Sequence, residues 1–283
     1  MKAMEDRINQ LEHQLLQERE TRRATDMLAS MVSLREFEAT KRRLHYAEGC
    51  MHFAIAGTAG SGKSSLINAI RGLRTGDQGA AAVGTSETTK SVQRYEHPDS
   101  EKNPFAWYDI PGAGTLSQPE LEYFRQQGLY IFDAIIVVFD SRFTATDLAI
   151  LRCCQEMKIP AYIVRSKALQ HIRNILDDSA VGDEDEDDEE AQKTRWLKAS
   201  AEYIGETQRT VKENLAAADI AEQRVYIVDK KTMLQLALGN QRPKQILHEG
   251  ELLVDVLREL MVRRFDENPK APPQVPLVSQ GNA

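Results

Sequence analysis

Gly57, Gly60 and Gly62 lie in the run Gly57-Thr58-Ala59-Gly60-Ser61-Gly62-Lys63-Ser64-Ser65, which has the form GxxxxGKS. Glycine at these points lets a loop bend so tightly that successive backbone N–H groups face inward and can hold an anion. Lys63 adds a cation on a stem long enough to reach the β- and γ-phosphates of a nucleotide, and the Ser64 hydroxyl is the type of ligand such loops offer to Mg2+. Ser61 and Ser65 place further N–H groups along the same bend. An apolar run, Met51–Ala56, comes before the loop and a helical pattern, Ser64–Arg71, after it. The positive end of that helix therefore points at the same anion. Strand, glycine loop and helix in this order make a nucleotide-binding P-loop.

Further along, Tyr108-Asp109-Ile110-Pro111-Gly112 ends a second apolar run. A carboxylate at a strand tip can hold Mg2+ through a water, and a glycine just beyond it can offer its N–H to a γ-phosphate. Asp before Pro-Gly is also ordinary turn chemistry, so the upstream P-loop is what favours a site here. Between the two motifs lies Gly84-Thr85-Ser86-Glu87-Thr88-Thr89. A threonine in this stretch could close over Mg2+ and the γ-phosphate, as switch segments do. Thr89 is the first candidate and Thr88 the second; a threonine-rich strand start would have the same composition.

These groups need a sheet edge to stand on. Met51–Ala56, Thr88–Tyr95, Phe105–Asp109, Ala134–Asp140, Ala161–Arg165 and Val225–Val228 read as strands. Ala134–Asp140 is a continuous β-branched run of the kind buried on both faces of a parallel sheet. Pro119–Gln127, Thr144–Glu156 and Leu247–Phe265 read as helices, the last with apolar positions at Leu252, Leu253, Val256, Leu257 and Leu260. Strands alternating with helices predict an α/β fold with a doubly wound, mostly parallel sheet. Gly72–Gly84 reads as a mobile loop, and the acidic run Asp183–Glu190 as a solvated surface insertion.

Residues 1–48 contain no proline and, before Gly49, no glycine; Met1, Met4, Ile8, Leu11 and Leu15 keep a heptad spacing. Two heptads are fewer than a sustained coiled coil needs. Dimerisation through this helix and packing of it against the following domain both stay open. The domain is expected over residues 49–266, and the Pro-, Gln- and Asn-containing stretch 267–283 is expected to be disordered.

Net charge is −7 and no basic stripe alternates with aromatics, which argues against a nucleic-acid partner. Phosphate binding must then come from a local site rather than from the overall field. The three cysteines, Cys50, Cys153 and Cys154, form no CxxC pair, as expected of a reducing compartment. No apolar stretch is long enough to span a bilayer and no lipidation signal stands at the N-terminus. These features predict a soluble cytoplasmic protein; peripheral membrane association stays open but is not signalled.

Taken together, GxxGSGKSSLINAIRGL, the Gly79-Ala-Ala loop, the Glu87-Thr-Thr segment, Arg94–Pro98 and YDIPGAGT resemble the immunity-related GTPases, the interferon-inducible type related to dynamins. The resemblance covers about residues 51–260 and includes a helical insertion before the last strand. It implies a G domain preceded by helices, with the family's C-terminal helical domain expected to be missing. It implies GTP or GDP with Mg2+ as the ligand. Gly57, Gly60, Gly62, Lys63, Ser64 and Ser65 would carry the phosphates, and Ser64, Thr89 and Asp109 the metal sphere. It also implies slow turnover that quickens on self-association across the nucleotide face. Ala113 stands where a water-orienting glutamine could be, so Glu87, the one carboxylate in the switch-like segment, becomes the candidate catalytic group beside Lys63.

Base recognition departs from the (N/T)KxD pattern. Ser166-Lys167-Ala168-Leu169 keeps Lys167, which can lie over the base plane, but puts Leu169 where the guanine-reading Asp should be. Asp229, after the last strand, could supply an acceptor from the neighbouring loop; a solvated loop-edge acid is the plainer reading. A scaffold with weakened base recognition, or a P-loop NTPase with relaxed base choice, are the alternatives that Leu169 leaves open.

Overall fold

The computed structural model describes residues 7, 19, 32–84, 89–112, 120–179, 189–239 and 243–265. In chain order the elements are α1 Leu34–Arg43, β1 Met51–Ala56, α2 Lys63–Ile70, β2 Gln93–Glu96, β3 Phe105–Asp109 and α3 Glu120–Gln127. After a 3-10 turn at Leu129–Ile131 come β4 Ala134–Phe139, α4 Ala145–Met157, β5 Ala161–Arg165 and α5 Ala168–Ser179. The chain continues through α6 Glu189–Ala217, β6 Val225–Ile227, α7 Lys230–Leu238 and α8 Glu249–Phe265.

The six strands lie in the order β2-β3-β1-β4-β5-β6, all parallel except β2, which runs antiparallel to β3. Strand alternation divides the core between two faces. Phe53 and Ile55 of β1 face α2, α7 and α8, packing with Leu66, Ile67, Met233, Leu252 and Val256. Ala54 and Ala56 face the other layer, with Phe124, Leu151 and Val211. The result is a three-layer α/β sandwich. Because β1 has β3 on one side and β4 on the other, strand order reverses there, and the crevice beyond the strand tips is where such sheets take ligands.

Residues 32–44 of the N-terminal segment lie against this sandwich. Ser33 caps α1 by accepting from the Glu36 N–H at 3.2 Å. Thr40 Oγ1 and the Tyr130 hydroxyl share a buried hydrogen bond of 2.8 Å, and Arg125 grips the Glu36 carboxylate with two bonds of 3.0 Å. Val32 and Leu44 join the core cluster. Met1, Met4, Ile8, Leu11 and Leu15 lie outside the described residues.

Four expectations need correction. The strand sought at Thr88–Tyr95 is the shorter, later β2, because Thr89 is drawn to Asp109 rather than into the sheet. Gly72–Gly84, expected to be a mobile loop, is anchored at Ala81 by Asn68 of α2 and at Gly79 by Arg71, the C-cap of that helix. Glu189 and Glu190, counted with the solvated acidic run, open α6, where negative charge suits the positive helix end. Asp229 is no solvated loop-edge acid; it is 7% exposed and caps α7 by accepting from the Lys231 N–H at 2.8 Å. Among the described residues no helix is long and apolar enough to cross a membrane.

Candidate nucleotide site

The P-loop bridges β1 and α2 at the reversal point of the sheet. Gly57 has φ +132°, and a Cβ there would meet the Val138 carbonyl oxygen at 2.1 Å, so only glycine lets the loop leave β1 against β4. Gly62 caps α2 in the left-handed region, at φ 93°, and Gly60 has φ 77°. Ser61 is 1% exposed, while Ser65 lies half-buried in the first turn of α2. Lys63, only 7% exposed, donates to the carbonyls of Gly57 at 3.0 Å and Thr58 at 2.9 Å. Its ammonium is thus held under the arch of the loop.

The three residues expected around a metal come together. Ser64 Oγ donates to Asp109 Oδ2 at 2.5 Å, and Thr89 Oγ1 donates to the same oxygen at 2.9 Å. Asp109 is 1% exposed at the tip of β3, and its Oδ1 is buried without a hydrogen-bond partner. Burial pushes the carboxyl above the ordinary range, opposed by the two hydroxyl donors and by the charge of Lys63. A buried carboxylate with an orphaned oxygen and two hydroxyls on the other is a hard-oxygen donor set that suits Mg2+, which takes few protein ligands and fills its octahedron with water and phosphate oxygens. A Cβ on Gly112 would meet the Ala59 backbone nitrogen at 2.8 Å, so the loop after β3 lies directly on the P-loop.

On the other flank, β5 ends in Arg165-Ser166-Lys167. Ser166 Oγ donates to the Ser61 carbonyl at 2.6 Å and ties this loop to the P-loop. Lys167, in the left-handed region at φ 56°, reaches Asp140 Oδ2 at 2.6 Å, while His171 Nε2 meets Asp140 Oδ1 at 2.6 Å. Burial raises the Asp140 carboxyl, but the Lys167 and His171 hydrogen bonds outweigh it and hold the group below its usual range. The His171 ring stacks on Tyr203 of α6 at 5.5 Å, and the Arg165 guanidinium lies over Tyr203 at 4.4 Å. Leu169 is 7% exposed in the first turn of α5 and brings no polar atom. Asp229 has its Oδ1 on the Lys231 N–H and its own N–H on Glu249 Oε1 at 2.8 Å.

Sequence reading missed Asp140 and His171, which no local motif marks. It also missed Ser166, whose place before the lysine was the available signal. Glu87, Thr88 and Ala113 lie outside the described residues.

Residues 37–237, well over half of the chain, match the sequence model of the family described as Interferon-inducible GTPase (IIGP). The chain belongs to the interferon-inducible GTPase family. Interferon-inducible GTPase 1 of Mus musculus is 35% identical over 127 residues, 45% of this chain and 30% of the relative. Interferon-inducible GTPase 5 of Rattus norvegicus is 27% identical over 245 residues, 82% of this chain and 47% of the relative. The chain thus spans less than half the length of these interferon-inducible GTPases. Among solved structures, a bacterial selenocysteine-specific elongation factor aligns at TM-score 0.42 and 16% identity, over 75% of this chain and 29% of its own.

Proposed function

We propose that this site binds a guanine nucleotide with Mg2+ and hydrolyses GTP, slowly as a single chain and faster when copies meet across the nucleotide face. The convergence of Ser64 and Thr89 on the buried Asp109, beside a lysine-tipped glycine loop, carries the reading. In this account residues 49–266 are the G domain, residues 1–48 its helical extension, and the protein works in the cytoplasm. The N–H groups of Gly57, Gly60, Ser61, Gly62 and Ser65 cradle the phosphates, and the Gly112 N–H faces the γ-phosphate. Lys63 exchanges its two loop carbonyls for phosphate oxygens. Ser64, Thr89 and Asp109 would hold Mg2+, which when bound neutralises charge on the β- and γ-phosphates. Lys167 lays its stem along the base, and Asp229 stands at the neighbouring loop as an acceptor. Glu87 orients the attacking water in the assembled form.

The buried, apolar Leu169 favours a second reading, relaxed base choice. A site lacking the carboxylate that pairs with guanine loses much of its power to reject adenine. Titrations of fluorescent GTP, GDP and ATP, with and without Mg2+, decide between these. Mg2+-dependent binding that prefers guanine supports the proposal. Equal ATP binding supports the second reading, and no saturable binding of any nucleotide overturns both.

A further inference from the structure

Helix α2 carries more than the Ser64 ligand. Ser64, Asn68 and Arg71 are spaced four and then three residues apart, so they share one face of the helix. Asn68 Nδ2 donates to the Ala81 carbonyl at 2.9 Å, and its Oδ1 accepts from the Ala81 N–H at 2.6 Å. The amide thus treats Ala81 as a neighbouring strand would, satisfying both backbone groups at once. Arg71 Nε donates to the Glu96 carbonyl at 2.7 Å and Nη1 to the Gly79 carbonyl at 2.9 Å, with the guanidinium over the Tyr95 ring at 5.3 Å. Asn68 and Ala81 are each 2% exposed, and Arg71 is 7% exposed.

Thr89 lies in the chain between these anchors. Before it, Gly79 and Ala81 are held to α2; after it, β2 is held to α2 through Glu96. Its hydroxyl meets Asp109 on the oxygen that Ser64 also occupies. The helix that begins with Lys63, with Arg71 at its C-cap, therefore holds a point on each side of Thr89 in the chain. A buried amide or guanidinium left unpaired is costly, so Gly79, Ala81 and Glu96 are fixed relative to this helix.

We propose that Asn68 and Arg71 are positioning residues: they fix where Thr89 stands relative to Ser64 and Asp109, and so govern affinity for a nucleoside triphosphate over a diphosphate without touching either. This rests on the nucleotide reading above. A purely structural role would lower stability and weaken both nucleotides alike.

The test uses Asn68→Ala, Asn68→Asp and Arg71→Lys. Asn68→Asp keeps the acceptor for the Ala81 N–H and loses the donor; Arg71→Lys keeps the charge and loses the fork. Binding of GDP and of a non-hydrolysable GTP analogue is measured with Mg2+, and amide hydrogen exchange is followed at Ala81 and Thr89 in nucleotide-free protein. Each variant is expected to weaken the analogue about tenfold, equivalent to about 1.4 kcal/mol, with GDP changed less than about twofold. Exchange at Thr89 should quicken in the same variants. Equal weakening of both nucleotides, or an unchanged analogue, overturns the proposal. Should the wild type bind neither nucleotide, the site reading fails and the affinity claim with it; exchange then decides the placement of Thr89 by itself, faster exchange in the variants supporting it and unchanged exchange overturning it.

Discussion

Ser64 and Asp109 are 45 residues apart in the chain, yet the serine hydroxyl donates to Asp109 Oδ2 at 2.5 Å. Parallel pairing of β1 with β3, Ile55 opposite Asp109, brings the carboxylate to the level at which the P-loop turns into α2. Burial makes the charged carboxylate expensive unless a cation joins it. The proposed Mg2+ site would offset that cost, and without it the buried charge is a burden on the fold rather than a support. Asp109→Asn should leave the melting temperature unchanged or raised while weakening Mg2+-dependent GTP binding by about tenfold to hundredfold. Fluorescent GTP titrations at fixed and at zero Mg2+, beside thermal melts, check both halves.

Two glycines should fail in different ways. Gly57→Ala sets a Cβ against the Val138 carbonyl, a backbone atom of β4 that cannot yield, and should destabilise the fold by about 2 kcal/mol or more. Gly112→Ala presses on the P-loop at Ala59 and should instead lose nucleotide affinity by about tenfold with the fold retained. Urea unfolding and GTP binding on the two variants separate these outcomes.

Leu169→Asp puts back a carboxylate at the start of α5. If Lys167 and position 169 flank the base, the GTP-to-ATP affinity ratio should rise by about tenfold or more. Competition titrations against a fluorescent GDP give the ratio. An unchanged ratio would show that the base is read elsewhere.

His52 lies at the end of β1 away from the phosphate loop and is 0% exposed. With its proton on Nε2 it donates to the Ala47 carbonyl at 2.9 Å, and Nδ1 accepts from the Tyr108 hydroxyl at 2.9 Å, whose oxygen takes Arg94 Nε at 3.1 Å. Burial holds the imidazole below its ordinary range, although the Ala47 bond and Asp133 oppose the shift. Its folded pKa lies below the unfolded one, so the unfolded chain takes up the proton first and stability falls as pH drops below about 6.5. Asp109, Asp147 and Glu249, all raised by burial, pull the other way at lower pH. The comparison of interest is therefore wild type against His52→Gln: unfolding free energy measured between about pH 7.5 and 5.5 should fall less steeply in the variant.

Glu87→Ala should slow the turnover stimulated by high protein concentration by about a hundredfold while leaving GTP affinity within about twofold. Phosphate release measured across protein concentrations, with light scattering to follow assembly, checks it. Unchanged stimulated turnover with normal assembly would remove Glu87 from the mechanism.

What the sequence disclosed depends on how local each signal is. The P-loop, Asp109 and the central strands are contiguous patterns, and β4 and β5 fall within a residue of where β-branched runs placed them. Thr89 could be chosen over Thr88 only as the better-placed of two neighbours. Asp140, His171 and Tyr203 meet across 64 residues of chain, so no spacing marks them. The 29-residue α6 was legible only through the resemblance, as a helical insertion before the last strand, because its buried face mixes small and polar residues, Ala199, Ser200 and Thr207, with the larger Tyr203, Val211 and Leu215. Asn68 looked like any polar residue in a helix, and its partner at Ala81 lay in a loop whose glycine content argued for motion.

The decisive measurement is calorimetric titration of GTP and Mg2+ into the wild type and into Lys63→Met, which keeps the stem and removes the charge. Saturable, Mg2+-linked binding in the wild type that weakens by about a hundredfold or more in the variant is expected, since a charge-assisted contact to phosphate is lost from a buried site. Equal binding in both proteins, or none in the wild type, would contradict the claim that this loop grips a triphosphate.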